Sequence, residues 1–103
     1  MSVANPLRGE AELVIDGRPC LLRPSFAALV RAEEELGSLF ALAERAGAGE
    51  LRLQEMAALL WHCLPDPASV EREAVGRAVL AMGMAEAARP LRVLLSQIFK
   101  GAG

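Results

Sequence analysis

The dipeptide Asp16-Gly17 stands between two short apolar-rich runs, AELVI and RPCLL. Both central positions of a type I′ turn need positive φ, and Asp-Gly satisfies that need, so the pattern predicts a β-hairpin. A two-residue loop also fixes the register of the strands. The predicted pairs on the more apolar face are Ile15 with Arg18, Leu13 with Cys20, and Ala11 with Leu22.

Pro19 is compatible with this hairpin because it falls opposite Val14, at a non-hydrogen-bonded pair where its missing N–H costs no ladder bond. A third strand cannot use that position either, so residues 18–23 are expected to form a free edge. Glu10 and Arg23 should form an opposite-charge pair on the other face. A two-stranded ribbon is marginal in water by itself, so we expect it to lie on the helices that follow.

The remainder of the chain is expected to be helical. Ser25 and Ser38 are predicted N-caps of the first two helices, and Gly37 ends the first of them. A third helix is predicted over Leu53–Leu64, and a fourth follows PDPAS with Asp66 or Ser69 as its cap and Gly83 at its end. The last runs from about Met84 to Phe99, where Pro90 either kinks it or starts a new helix.

Apolar residues at helical spacing predict which side chains face the core. The predicted stripes are Phe26, Leu29, Val30 and Leu36; Leu39, Leu42, Ala43 and Ala46; Leu53, Met56, Ala57, Leu60 and Leu64; Val70, Val75, Val79 and Met82; and Leu91, Leu94, Leu95, Ile98 and Phe99. Leu59 and Trp61 flank the third stripe on either side. The apolar arc of this third helix is therefore wider than a surface helix needs, which predicts either a central helix or a helix that makes a second contact.

These elements predict an α+β fold in which a two-stranded antiparallel hairpin packs on a bundle of four to five α-helices. A chain of 103 residues can bury an adequate core as one domain. We expect a single domain over residues 1–103, with a flexible lead-in at 1–8, the hairpin at 9–24 and helices at 25–100.

Composition excludes several classes of function. The net charge is −2, Lys100 is the only lysine, and basic residues are not clustered, so no nucleic-acid partner is expected. The longest apolar runs are too short to span a bilayer, which predicts no membrane insertion. Cys20 and Cys63 could form one disulfide, but nothing indicates a secreted, disulfide-dense chain, so two reduced, buried thiols are expected.

No arrangement of residues indicates catalysis. His62 and Cys63 are adjacent on a helix and point about 100° apart, so they cannot act as a base and nucleophile pair; a solvent-facing His62 is expected. The run Glu33-Glu34-Glu35 is expected to be a solvated face, and GAGAGE lacks the Lys-Ser/Thr of a phosphate-binding loop. The sequence therefore predicts no enzyme, no cofactor and no metal site.

Candidate partner-binding residues are apolar side chains beyond those that the core needs. Trp61 is a possible interface anchor, because its helix already has a full apolar stripe without it. Met56, Met82 and Met84 either fill the core, which is the default, or form an adaptable docking surface. The complete set of predicted partner-binding residues is Trp61, Leu59, Phe40 and Val93.

The order of motifs resembles a family of small proteins encoded near the tail tube gene in gene transfer agents and related tailed phages. Members have Asn, a short gap, Arg-Gly-Glu, an Asp-Gly turn, Leu-Arg, a Phe-x-x-Leu helix, Glu-Leu-Gly, a Leu-Ala-Glu-Arg helix and a Leu-Leu-x-x-x-Phe close. The matching residues are Asn5, Arg8, Gly9, Glu10, Asp16, Gly17, Leu22, Arg23, Phe26, Leu29, Glu35, Leu36, Gly37, Leu42, Ala43, Glu44 and Arg45, with LLSQIFKG at the end. The chain departs from the pattern at Ser25, WHCLPDP and Lys100.

The resemblance implies a role in tail assembly in the bacterial cytoplasm, with or without incorporation into a phage-like particle. The implied partner is a tape-measure or tail tube protein, and self-association is left open. Two roles fit: a chaperone or adaptor that binds its partner through apolar helical surface, which we favour, and a permanent component of the tail. In either role the hairpin covers the helical core or pairs with a partner strand through its free edge.

Overall fold

The chain folds into a β-hairpin followed by five α-helices. The computed structural model describes the backbone of residues 10–100 and the side chains of residues 10–96. The elements are β1 (Ala11–Ile15), β2 (Arg18–Leu22), α1 (Phe26–Leu36), α2 (Leu39–Gly47), α3 (Leu53–His62), α4 (Arg72–Met82) and α5 (Met84–Lys100), with a 3-10 turn at Pro67–Ser69. This arrangement confirms the predicted α+β class; the predicted lead-in at 1–8 lies outside the described residues.

The hairpin has the predicted register at every rung, from Ala11 opposite Leu22 to Ile15 opposite Arg18. Asp16 and Gly17 have φ values of 50° and 79°, as a type I′ turn requires. Just outside the paired strands, the Arg23 guanidinium donates to the Glu10 carboxylate at 2.8 Å. The Asp-Gly turn was therefore sufficient to predict the strand pairing.

The hairpin lies on the helices through one face of β1. Ala11, Leu13 and Ile15 are buried, whereas Glu12 and Val14 between them are exposed. β1 contacts α4 and α5. The chain after β2 is tied to α3, because the Arg23 N–H donates to the Cys63 carbonyl at 2.8 Å. This confirms that the ribbon depends on the helices for its cover.

α3 is the central helix of the bundle. It contacts α1, α4 and α5, and its residues from Met56 to Leu60 are all buried. The wide apolar arc predicted for this helix is thus buried against the other helices. Leu64, beyond the end of α3, is buried as predicted, and Leu53 at its start is half-buried.

α1 buries only part of the predicted stripe: Leu29 and Leu36 pack against the core, whereas Phe26 and Val30 do not. Its buried residues are Ala28 and Ala32, whereas Phe26 is 84% exposed and Val30 is 40% exposed. Leu29 is half-buried. Two alanines spaced by one turn let the backbone of α1 lie close to α3, and this places the larger side chains at the margin or outside.

Helix boundaries follow the predicted caps in most places. The hydroxyls of Ser25 and Ser38 each accept a hydrogen bond from a backbone N–H in the first turn of the helix that follows, at 3.2 Å. Asp66 and Ser69 do not cap α4; Glu71 precedes it, with no side-chain cap. Pro90 lies inside α5 and does not start a new helix. The side chains of the predicted core residues Ile98 and Phe99 lie outside the described part.

The two cysteines are not bonded to each other. Cys63 is buried, as expected, but Cys20 is only half-buried. Burial raises the pKa of the Cys63 thiol to about 12. At neutral pH the Cys63 side chain is therefore a protonated, inert thiol.

We predict that the two thiols differ in reactivity. In the native protein at pH 8, Cys20 should react with a thiol reagent at least about tenfold faster than Cys63, because thiolate fraction and exposure control the rate. Free-thiol titration in denaturant should then give two thiols per chain. A Cys20→Ser variant isolates Cys63; rapid labelling of that variant under native conditions would contradict the buried position.

Candidate docking surface

Several large apolar side chains remain exposed in the described part of the chain. They are Val14, Phe26, Val30, Phe40, Leu80, Met82 and Met84. Single exposed apolar residues are normal, but a local concentration of them marks an interaction site. Three of the seven, Leu80, Met82 and Met84, lie within five residues of the chain, where α4 ends and α5 begins. We refer to these three residues as the α4–α5 junction.

The junction is compact because α5 starts immediately after α4. Gly83, which lies between them, has a φ of 89°, a conformation that favours glycine. Its N–H donates to the Val79 carbonyl at 2.9 Å, and its own carbonyl accepts from Ala87 at 2.9 Å. The backbone thus holds the two methionines on either side of a well-bonded turn.

A mostly apolar groove, groove A, lies on one flank of α5. It has a volume of about 260 Å³ and is bounded on its other side by the end of α2 and the loop before α3. Its lining residues are Ala46, Gly49, Leu51, Met56, Met84, Ala85, Ala88, Leu91 and Arg92. Met84 of the junction is thus one of the lining residues of groove A.

A second groove, groove B, lies on the opposite flank of α5 and has a volume of about 350 Å³. Its other wall is the start of β1. Its lining residues are Glu10, Ala11, Glu12, Met82, Glu86, Arg89, Pro90 and Val93. Groove B is more acidic than groove A, because three carboxylates line it and Arg89 is its single basic residue.

The positions along α5 explain why the two grooves do not merge. At 100° per residue, the groove A residues of α5 centre on one side of the helix and the groove B residues on a side roughly 150° away. The buried residues Ala87, Leu91 and Leu94 face the core between them. Arg89 and Arg92 are exposed on the outer ridge. The junction and the two grooves together form what we call the docking surface.

An ion pair braces the wall of groove A. The Arg45 guanidinium donates to both carboxylate oxygens of Glu55, at 2.9 and 2.7 Å, and so joins the end of α2 to the start of α3. The same carboxylate accepts from the Arg52 N–H at 3.0 Å. These hydrogen bonds, from Arg45 first and Arg52 second, lower the pKa of Glu55. The intervening loop, which contributes Gly49 and Leu51 to the groove, is thereby held at both ends.

Trp61 belongs to a separate cluster that joins three helices. Its indole N–H donates to the Val70 carbonyl at 2.7 Å, and the Arg72 guanidinium lies 4.5 Å from its ring centroid. Arg72 also donates to Glu35. The hydrogen bonds of Glu35 with Arg72 and then His62 lower the pKa of Glu35. Trp61 is thus half-buried and engaged in contacts within the chain.

One expectation about the polar residues near this cluster was wrong. His62 is buried, with 6% exposure, and its Nε2 lies 2.8 Å from the Glu35 carboxylate; its Nδ1 has no partner among the described residues. Glu33, Glu34 and Glu35 are exposed, as expected of a solvated face, and two of them also make contacts: Glu35 those just described, and Glu33 by accepting from the Leu39 N–H at 3.2 Å. α1 brings its carboxylates to α2 and α3, which the linear sequence does not reveal.

The structure separates the four predicted partner-binding residues. Val93 is half-buried and lines groove B. Leu59 is fully buried in the core and so lies off any exposed surface. Phe40 is 57% exposed on α2 but lines neither groove. Trp61 lies in the cluster described above, also outside both grooves.

For the two methionines of the junction the sequence left two interpretations open, core filling as the default and a docking surface as the alternative. Met82 is 38% exposed, although it was placed in the core stripe of α4, and Met84 is 43% exposed, so neither simply fills the core. Met56, by contrast, fills the core as the default predicted. The available signal was the sequence AMGMA, in which a helix-ending glycine stands between two flexible apolar side chains.

Other kinds of site receive no support from residues 10–96. Among these side chains, no group of three His, Cys, Asp or Glu residues is placed to hold a metal ion. No helix in the described part has the length and apolar content needed to cross a bilayer.

Comparison with known proteins identifies one family. The model of the family described as "Phage tail tube protein, GTA-gp10" matches residues 8–101. No curated protein and no solved structure matches the chain.

We predict that Glu55 contributes to stability in a pH-dependent way. Because its pKa is lowered in the folded state, the contribution is complete above the pKa of the unfolded carboxyl and is lost as the pH falls through the folded-state value. Glu55→Gln should lower the free energy of unfolding by about 1 kcal/mol at pH 7 and by less at pH 3. Denaturant unfolding at the two pH values measures this, with Glu44→Gln, at an exposed position on α2, as the control. Equal losses at both pH values would contradict the account.

Proposed function

The chain belongs to the family of phage tail tube proteins matched over residues 8–101, and from this membership we propose that it is a non-enzymatic tail assembly protein. In this proposal it acts as a chaperone or adaptor in the bacterial cytoplasm. It binds a tape-measure or tail tube protein through the docking surface and keeps that partner soluble before polymerisation. The observation that carries the proposal is the exposure of Met82 and Met84, which line the two grooves on either flank of α5.

The chemistry of the junction suits an assembly partner that is bound and later released. Methionine side chains are unbranched and adapt to irregular apolar surfaces. Met82 faces groove B and Met84 faces groove A, so a bound segment on either flank of α5 would contact one of them. Because Met82 and Met84 are only 38% and 43% exposed, covering the remainder of each contributes less than the about 1.5–3 kcal/mol of a complete burial.

Groove A suits an amphipathic helix as its ligand. Its lining is apolar apart from the backbone and Arg92 at the rim. Helix-in-groove binding uses apolar side chains at every third or fourth position of the ligand. A tape-measure protein is a long amphipathic helix, so its apolar stripe would be covered while its charged face remained in water.

The proposal that the protein is not an enzyme is supported by the state of its reactive side chains. Cys63 is buried and its pKa is raised to about 12, which leaves no thiolate at neutral pH. His62 is held against Glu35 inside the bundle. Neither group lines groove A or groove B.

A second candidate function is a permanent structural component of the tail. The family description, which names a tail tube protein, favours it. Exposed Phe26 and Val30 on α1 would then supply a further contact face of the kind that repeated assembly requires. The two roles differ in one observable: a component is present in fixed stoichiometry in purified particles, whereas a chaperone is absent from them.

We predict that charged substitutions at the junction weaken partner capture. When the tagged chain is co-expressed with the neighbouring tail tube and tape-measure proteins, one of them should co-purify as a soluble complex. Met82→Glu and Met84→Glu together should weaken that complex about tenfold or more, because each puts a carboxylate where the partner would cover a thioether side chain. Quantified pull-down followed by calorimetry measures the loss.

The control for this experiment is Phe26→Glu with Val30→Glu, which makes the same chemical change at two exposed positions of α1. The control pair should retain the partner. If it loses the partner while the methionine pair retains it, the docking surface is on α1 and the proposed site is wrong. If neither tail protein is captured by the unaltered chain, the proposed chaperone function fails.

A further inference from the structure

The outer edge of β1 has backbone groups with no partner among the described residues. In a hairpin with a two-residue turn, the pair next to the turn is hydrogen-bonded and the pairs then alternate. The observed register therefore makes Val14–Pro19 and Glu12–Leu21 the non-hydrogen-bonded pairs. The N–H and C=O groups of Glu12 and Val14 point away from β2, and within the part of the chain that the structure describes no hydrogen bond to another element engages them.

The outer edge of β2 is less suited to another strand. Its corresponding positions are Pro19, which has no N–H, and Leu21. The loop at 64–70 also lines the space beside this edge. The two edges of the ribbon are thus unequal, and β1 is the one with a full set of donors and acceptors. The expected free edge at residues 18–23 is present, since among the described residues β2 pairs only with β1, but the Arg23 N–H donates to the Cys63 carbonyl.

Groove B places apolar side chains beside the β1 edge. Side chains of an added strand would alternate between the helix side and the solvent side. Those on the helix side would enter groove B, where Met82, Pro90 and Val93 line the wall. Those on the solvent side would lie next to Glu12 and Val14, both of which are exposed.

The charges along β1 select the kind of strand that fits. The segment Glu10–Asp16 has three acidic residues and no basic one. Glu10 pairs with Arg23 and Asp16 lies 4.0 Å from Arg77, and across groove B Glu86 lies 3.7 Å from Arg89, so Glu12 is the acid that an added strand would meet. A second copy of β1 does not fit: antiparallel registers centred on residue 12, 13 or 14 each place an acid opposite an acid, which is destabilising. A strand with basic residues on its solvent side is complementary.

We propose that β1 accepts an extended segment of the tail protein partner as a third strand, with apolar residues facing groove B alternating with basic residues beside Glu12. This proposal rests on the proposed function, since it specifies how the same partner is held. Main-chain hydrogen bonds to Glu12 and Val14 give the affinity, and the alternating side chains give the specificity.

Amide hydrogen exchange of the complex with the captured tail protein tests the added strand directly. The amides of Glu12 and Val14 should exchange rapidly in the free chain and roughly a hundredfold more slowly in the complex, while that of Leu21 stays fast. If a complex forms and these two amides are not protected, the third strand is wrong and the proposed function stands.

A proline pair at one rung provides the matched variants. Glu12→Pro removes the outward N–H on β1, and Leu21→Pro removes the one on β2, both at a non-hydrogen-bonded pair. Glu12→Pro should weaken partner binding about tenfold or more and Leu21→Pro should leave it unchanged. The reverse result would place the partner on β2. Circular dichroism identifies a variant that fails to fold. If either proline variant fails to fold, the hydrogen exchange of Glu12 and Val14 in the unaltered chain tests the third strand instead.

Charge reversal tests the basic character of the strand. Glu12→Lys should weaken binding about threefold to tenfold, whereas Glu34→Lys, the same change at an exposed position on α1, should not. Tighter binding by Glu12→Lys would contradict a basic partner strand.

A synthetic peptide covers the case in which neither tail protein is captured. The peptide Lys-Val-Lys-Val-Lys-Val should protect the Glu12 and Val14 amides at millimolar concentration, and Glu-Val-Glu-Val-Glu-Val should not. Protection by the basic peptide would support the strand site even though the proposed function had failed. No protection by either peptide would overturn the inference.

Discussion

The burial of α3 on three sides determines where the rest of the apolar surface goes. α1, α4 and α5 all pack on this helix, and its residues from Met56 to Leu60 are buried, with Met56 at the floor of groove A. α5 must lie against the core through Ala87, Leu91 and Leu94, so its two flanks remain open. The hairpin covers part of one flank but leaves groove B between itself and the helix. The docking surface is thus what remains after the core is complete.

The polar contacts hold this arrangement without forming a reactive site. Arg45 and Glu55 join α2 to α3, and Glu35 joins α1 to His62 on α3 and to Arg72 on α4. The Arg45–Glu55 pair joins consecutive helices and is partly buried, whereas the contacts of Glu35 reach 27 and 37 positions along the chain, the first partly buried and the second exposed. Charge in this protein therefore orients helices, whereas the exposed apolar side chains are the groups left to interact with other molecules.

The local features of the fold could be predicted from sequence because their causes are local. Asp16-Gly17 determines the hairpin register, and Ser25 and Ser38 cap their helices through their own hydroxyls. The outward face of α1 could not be predicted, since the choice between Phe26 and the small residues Ala28 and Ala32 depends on how closely α3 approaches. The burial of His62 depends on a carboxylate 27 positions away. The candidate site was only partly predictable: Val93 was named from sequence, but the exposure of Met82 depends on where α5 turns.

The central claim is that the α4–α5 junction is covered when the protein binds its tail partner. Methyl NMR of the chain labelled with ε-¹³C-methionine, recorded with and without the captured tail protein, tests this at the two exposed methionines. The account predicts that the Met82 and Met84 methyl signals shift and broaden on complex formation. If the complex forms and both signals keep their positions and widths, the junction is not the binding site and the account is contradicted.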